Sequence, residues 1–250
     1  WQWLFLAEGI PAIALGFVTL RYLDERPTDA DWLEPEERAF LTAEVERERE
    51  LREALGAQRL RDALASGRVW LLGLLYFILL AAGFGLTFFV PDLVQERTGY
   101  TDFEVGVLSA IPYGFATAAM LIVARRGGGL VGLALVGAAG TVLTAYAQSP
   151  LLLTVGVTLA AVGILSALPV FWALPTAFLS GTAAAAGIAL IAAIGNLGGF
   201  VGPAFTGIAE DQTGSFKMPL VVLAGLLVVG SLLVLLLLRE KRPALTGAAS

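Results

Sequence analysis

The stretch M-P-L-V-V-L-A-G-L-L-V-V-G-S-L-L-V-L-L-L-L, Met218 to Leu238, is 21 consecutive residues without an acid or a base. Wound as an α-helix at 1.5 Å per residue it is about 31 Å long, the thickness of a bilayer's hydrocarbon core. Working back toward the start of the chain, six more segments of similar character follow: Ala183 to Ala209, Leu151 to Leu179, Leu130 to Ala147, Phe103 to Ala124, Val69 to Val90 and Trp1 to Leu23. The Leu130 segment is short for a span. The Leu151 segment is long, and Pro169 and Pro175 are expected to tilt or bend it, because proline withholds a backbone donor. The expectation is an all-α integral membrane protein of seven transmembrane helices.

Composition agrees. Hydrophobic residues make up 57% of the chain and charged residues 15%, against roughly 45–50% and about 25% in an ordinary soluble domain, and the mean hydropathy is +0.80. The charges are also gathered: 13 of the 21 acids and 8 of the 16 bases lie between Asp24 and Arg68. The net charge of −5 therefore comes mainly from one loop, and no basic surface for nucleic acid is expected. The organisation read from this pattern is a first helix over 1–23, a charged linker over 24–68, a six-helix bundle over 69–239 and a tail over 240–250.

Lys and Arg in the flanking loops set the orientation. If the first helix runs outside to inside, 14 of the 16 bases lie in the cytoplasm and only Arg97 and Lys217 outside. The tail is then cytoplasmic. A first segment this long, without a basic leader or a cleavage motif, does not read as a signal peptide. Within the linker, Ala39 to Leu55 carries Phe40, Leu41, Val45, Leu51 and Leu55 at roughly helical spacing, preceded by Pro35, Glu36 and Glu37 at a first turn suited to proline and acids. This predicts a solvated linker helix; a lipid-binding face would be richer in bases.

The chain has no cysteine and no histidine, which excludes thiol nucleophiles, cysteine-ligated metals, Ser-His-Asp triads and histidine-held zinc or haem. No cofactor is implied. The last six spans hold no Lys or Arg at mid-membrane depth, so a cavity lined by them is aromatic and amide-like. The polar and aromatic candidates are Tyr76, Phe84, Tyr113, Phe171, Trp172, Thr176 and Asn196. Packing against lipid or neighbouring helices is the competing account of each. Asn196 stands out because an amide in hydrocarbon needs partners, and it lies in Gly187 to Pro203, where two G-x-x-x-G spacings permit close helix approach. Glu8 is the ionisable residue inside the first span, beside Gly9 and Pro11, placed either to relay a proton or to cap a bent helix near the interface. The second span carries Gly83 and Gly85 and the fifth Pro169 and Pro175; interruptions three helices apart suggest an inverted repeat of three plus three helices.

Four strings together resemble the anion:cation symporters of the major facilitator superfamily, carriers of organic acids such as tartrate, phthalate, hydroxyphenylacetate and sugar acids. They are W-Q-W-L-F-L-A-E-G-I-P-A (Trp1 to Ala12), W-L-E-P-E-E-R (Trp32 to Arg38), P-V-F-W-A-L-P-T-A-F-L-S-G (Pro169 to Gly181) and Gly187 to Pro203. The resemblance covers nearly the whole chain and implies that the seven spans are the sixth to twelfth helices of a twelve-helix carrier. An N-terminal bundle of five helices would then be missing, and with it much of the anion-binding and proton-coupling chemistry. It further implies a multi-pass protein of the inner or plasma membrane, not an enzyme, moving a small organic anion by symport with protons. One departure stands between the third and fourth spans. The family usually carries a Gly-x-x-x-Asp-Arg-type motif there, whereas this chain has Ala124-Arg125-Arg126-Gly127-Gly128-Gly129 without an acid, so the latch between halves is expected to differ.

The rival classes fit less well. A retinal protein needs a lysine in the middle of its last helix, but the two lysines, Lys217 and Lys241, flank that span. A non-retinal seven-helix receptor, or a membrane protein that transports nothing, is disfavoured by the charged loop after the first helix and by the transporter-like strings. An intramembrane enzyme would need a carboxylate base in the centre of a span, and none sits there. The membrane reading is checked by size-exclusion chromatography. The purified chain should be monodisperse only in detergent or lipid, and a monodisperse species in plain buffer would refute it.

Overall fold

The computed structural model describes residues 2–24, 26–30, 32–178 and 183–239. Among them there are helices and turns but no strand. The tail 240–250, and the end of the fifth expected span at Leu179, lie outside the described residues. The chain divides into two units, Trp1–Ala57 and Gln58–Ser250.

The first unit holds α1 (Gln2–Tyr22), a 3-10 turn (Pro27–Asp29) and the start of α2 (Pro35–Ala65). Pro11 lies within α1. The α2 entry is held locally: Arg38 donates to the Ala30 carbonyl at 2.6 Å, Thr42 to the Arg38 carbonyl at 2.7 Å, and Ala30 is buried. Pro35 opens the helix and Glu36 and Glu37 occupy its first turn, where acids meet the positive end of the dipole. The helix spans 31 residues and so outruns the expected Ala39 to Leu55 at both ends. Its Glu, Arg, Leu and Ala are strong helix formers, and they carry it past Gly56. Phe40, Leu41 and Val45 are exposed; the side chains of Leu51 and Leu55 lie outside the described ones.

The second unit contains α3 (Gly67–Thr87), α4 (Val90–Thr98), α5 (Asp102–Arg126), α6 (Leu130–Tyr146), α7 (Pro150–Phe178), α8 (Ala183–Thr213) and α9 (Lys217–Arg239). Among the described residues, six helical stretches are long and apolar enough to cross a membrane: one in α1, the α3–α4 stretch, and α5, α7, α8 and α9. The apolar helix α6 has 17 residues, about 25 Å, and falls short of the roughly 30 Å core. Trp70 Nε1 donates to the Leu64 carbonyl at 2.8 Å, satisfying one of the orphan acceptors of α2's last turn as the chain enters α3.

The helices pair in a pattern with internal symmetry. Taking α3, α5 and α6 as one triplet and α7, α8 and α9 as another, α3 packs on α8 as α7 packs on α5, and α3 packs on α9 as α7 packs on α6. The pairs α3·α7 and α6·α9 map onto themselves under this exchange; the lesser contacts α8·α9 and α7·α8 are the exceptions.

The two largest seams are built on small residues. Along α6·α7, a methyl added to Gly140 would collide with the Ala160 nitrogen, and one added to Gly163 with the Gly137 nitrogen. Along α3·α8, Gly198 faces the Phe77 carbonyl and Gly202 the Ala81 carbonyl at equally close range. Helices in lipid gain little from hiding apolar surface from one another, so dispersion at such short separations holds them together. Of the five buried hydroxyls described, four are satisfied within their own helices and that of Ser166 has no partner among the described residues. Thr141, Thr144, Thr206 and Ser231 each donate to the carbonyl four residues back at 2.9 Å.

The expected interruption of the second span at Gly83 and Gly85 is corrected. Helix α3 continues through both to Thr87, and the break falls at Phe88–Phe89, before α4. Gly85 serves packing: a methyl there would lie 2.8 Å from the Leu223 side chain and 3.3 Å from the Gly202 backbone. Pro91 in the first turn starts α4, and Gly99 ends it at φ 65°, a conformation that favours glycine. Helix α7 likewise runs unbroken through Pro169 and Pro175.

Gly140→Leu should therefore unfold the bundle in detergent at a clearly lower temperature, through an overpacking cost of about 1–3 kcal/mol or more. Gly132→Leu, at a helix position with nothing within 4 Å of a new methyl, should leave the transition unchanged, as read by thermal unfolding followed with circular dichroism.

Candidate functional site

Three of the sequence candidates meet at the junction of α3, α7 and α8, which all touch one another. Tyr76 on α3 stacks on Phe171 of α7 with ring centroids 5.1 Å apart and planes 8° from parallel. Trp172 stands edge-on to both, 5.0 Å from Tyr76 and 5.5 Å from Phe171. Offset stacks and T-shaped contacts at these distances are the favoured geometries for aromatic rings. Phe171 is fully buried, whereas Tyr76 and Trp172 are half-buried.

The seat for this cluster is on α8. A methyl on Gly195 would overlap the Tyr76 ring, so the ring rests directly on bare backbone. Asn196, the next residue, is exposed. It therefore lies on the surface of the bundle, next in sequence to the glycine that seats Tyr76. Phe84 lies two helical turns beyond Tyr76 on α3 and is exposed. It pairs with Phe88 at 6.0 Å and covers Gly199, where a methyl would come within 3.2 Å of its ring. Tyr76 over Gly195 and Phe84 over Gly199 thus repeat one motif, an α3 aromatic laid on an α8 glycine. The sequence signal for it is the G-x-x-x-G spacing, which marks Gly195 and Gly199 but not the rings that cover them.

The remaining candidates lie apart from this locus or are locally engaged. Thr176 donates to the Ala173 carbonyl of its own helix at 3.0 Å. Tyr113 is half-buried on α5 next to the buried Pro112, and its carbonyl accepts from Thr117 at 2.8 Å. Glu8 lies on α1, in the first unit. Among the described residues no group of His, Cys, Asp and Glu is arranged to hold a metal ion, and the buried polar side chains are all hydroxyls: Thr141, Thr144, Ser166, Thr206 and Ser231. A ligand at the aromatic cluster would therefore meet neutral donors, the Tyr76 hydroxyl and the Trp172 indole N–H, among apolar side chains.

Residues 1–131 match the family model described as Major Facilitator Superfamily. The chain is 41% identical over 247 residues to a protein of Agrobacterium vitis provisionally named as a tartrate transporter, covering 96% of this chain and 55% of that protein. It is 36% identical to a quinolone resistance transporter of Acinetobacter baumannii, covering 93% of this chain and 55% of the relative. It is also 33% identical to the inner membrane transport protein RhmT of Escherichia coli (strain K12), covering 100% and 59% respectively. The chain thus spans little more than half the length of the curated relatives it matches.

Gly195→Val should push Tyr76 off Phe171 and lower the unfolding temperature in detergent. Adding Tyr76→Ala should make the double variant less unstable than the two single losses summed, because the clash disappears with the ring. Additive losses would show that Gly195 does not seat Tyr76.

Proposed function

The chain belongs to the major facilitator superfamily, and from that premise we propose that it works as the sixth to twelfth helices of a secondary transporter for small organic anions. An N-terminal bundle of five helices completes the carrier, and the two bundles alternate access to a site at mid-membrane depth. The charged linker 24–68 joins the bundles on the cytoplasmic side, and the C-terminus is cytoplasmic. The observation that carries the reading is the cluster of Tyr76, Phe171 and Trp172 seated on Gly195, the residue before Asn196. Its neutral donors suit the oxygens of a carboxylate, while its rings shield the substrate from lipid. The cation that balances the substrate's charge comes from the N-terminal bundle. The name of the Agrobacterium vitis relative points to tartrate as the first substrate to try. On this reading Phe84, Tyr113 and Thr176 contribute to the substrate path outside the cluster, and Glu8 carries the coupling proton.

Labelled tartrate should enter vesicles that hold the chain together with the N-terminal helices. Uptake should saturate and collapse on addition of an uncoupler or on Glu8→Gln. Saturable uptake by this chain alone would overturn the need for the N-terminal bundle, and uptake indifferent to the uncoupler would remove the coupling proton. Asn196→Ala should weaken substrate binding about tenfold, the effect of losing one hydrogen bond to a charged group; unchanged affinity would take Asn196 out of the site.

A further inference from the structure

The outer flank of the second unit carries a groove that the transport reading does not use. Leu135, Ala139 and Val142 of α6 face Val221, Gly225 and Val228 of α9 across a hollow of about 810 Å³. On each helix these residues recur at three- and four-residue spacing, so the groove runs along both axes and not across them. From Leu135 to Tyr146, which closes one end, the groove is about 16 Å long at 1.5 Å per residue, close to half of a roughly 30 Å hydrocarbon core. That is the depth of one lipid leaflet.

At the Tyr146 end the apolar groove opens into a second hollow of about 420 Å³, lined by Tyr146, Thr213, Ser215, Lys217, Met218 and Val221. Tyr146 and Val221 line both hollows, so the two adjoin. Lys217 Nζ lies 4.2 Å from the centre of the Tyr146 ring, within cation–π range. The ring fixes the ammonium at the mouth and leaves its N–H donors free for an anion. Ser215 Oγ accepts from the Lys217 backbone N–H at 3.2 Å, which fixes the turn that presents the lysine. Glu210 and Asp211 precede this turn at the end of α8, but neither lines the hollow. A cation at the lipid interface, above an apolar channel one leaflet deep, is complementary to a phosphate ester with an acyl chain.

We infer that the α6–α9 groove is a binding site for an anionic phospholipid, with one acyl chain lying between Leu135 and Val228 and the phosphate held by Lys217. The test is native mass spectrometry of the full chain released from detergent after exposure to equal amounts of phosphatidylglycerol and phosphatidylcholine. The wild type should retain phosphatidylglycerol preferentially. Lys217→Gln should reduce that preference about five-fold, the effect of removing one basic residue from an anionic surface. Gly225→Trp, at a position with nothing within 4 Å of a new methyl, should fill the groove and lower retention of both lipids while the thermal transition stays in place. Equal retention of the two lipids by the wild type, or a Lys217→Gln profile identical to it, would overturn the phosphate contact. A dimer that Gly225→Trp dissociates would overturn lipid as the occupant.

Discussion

Helices surrounded by lipid gain little by turning leucine away from their surroundings, since hydrocarbon is as good a neighbour as another leucine. Cohesion then depends on how closely two backbones can approach, and in this bundle glycine sets that distance. The α6·α7 and α3·α8 seams place glycine against the partner's backbone atoms at Gly140, Gly163, Gly198 and Gly202. Everything else in the second unit is referred to those two seams: the symmetry of the triplets, the position of the aromatic cluster, and the line along which α3 meets α4.

The aromatic cluster shows the same rule at the scale of a site. Tyr76 is held by Phe171 on one side and by bare α8 backbone on another, so its position depends on the seam that Gly198 and Gly202 create one and two turns further along. Phe84 repeats the arrangement over Gly199. A site built this way moves as a unit with α3 and α8, because shifting either helix by a side chain's width would separate ring from glycine.

Much of the fold was legible before any coordinates. Uncharged runs of bilayer length located α3, α5, α7, α8 and α9, and the gap between expected and observed ends is a few residues, as for Met218 to Leu238 against Lys217–Arg239. The shortness of α6 was also readable. What escaped was the meaning of glycine in α3. Gly83 and Gly85 read as helix-weakening residues by propensity, but tertiary contact to Gly202, Thr206 and Leu223 makes Gly85 a packing surface, and the break falls instead at Phe88–Phe89. Helix α4 was hidden because its apolar start, Val90, continues the preceding run; its signals were Pro91 at the first turn and Gly99 at the end. For the site, residue chemistry picked out Tyr76, Phe171 and Trp172, which do meet. It could not tell that the Thr176 hydroxyl is engaged by its own helix, or that Asn196 lies at the surface instead of bridging two helices, because helical phase relative to a neighbour is a tertiary property.

The buried hydroxyls have an electrical consequence. Thr141, Thr144, Thr206 and Ser231 each aim their hydrogen at a carbonyl of their own helix, and no acid or base is among the buried polar side chains described. Hydroxyls engaged in this way have their hydrogens committed within one helix, and the side chains around them are apolar. The described interior of the second unit thus carries no fixed charge, and ionised groups are left to the surfaces the bundle presents.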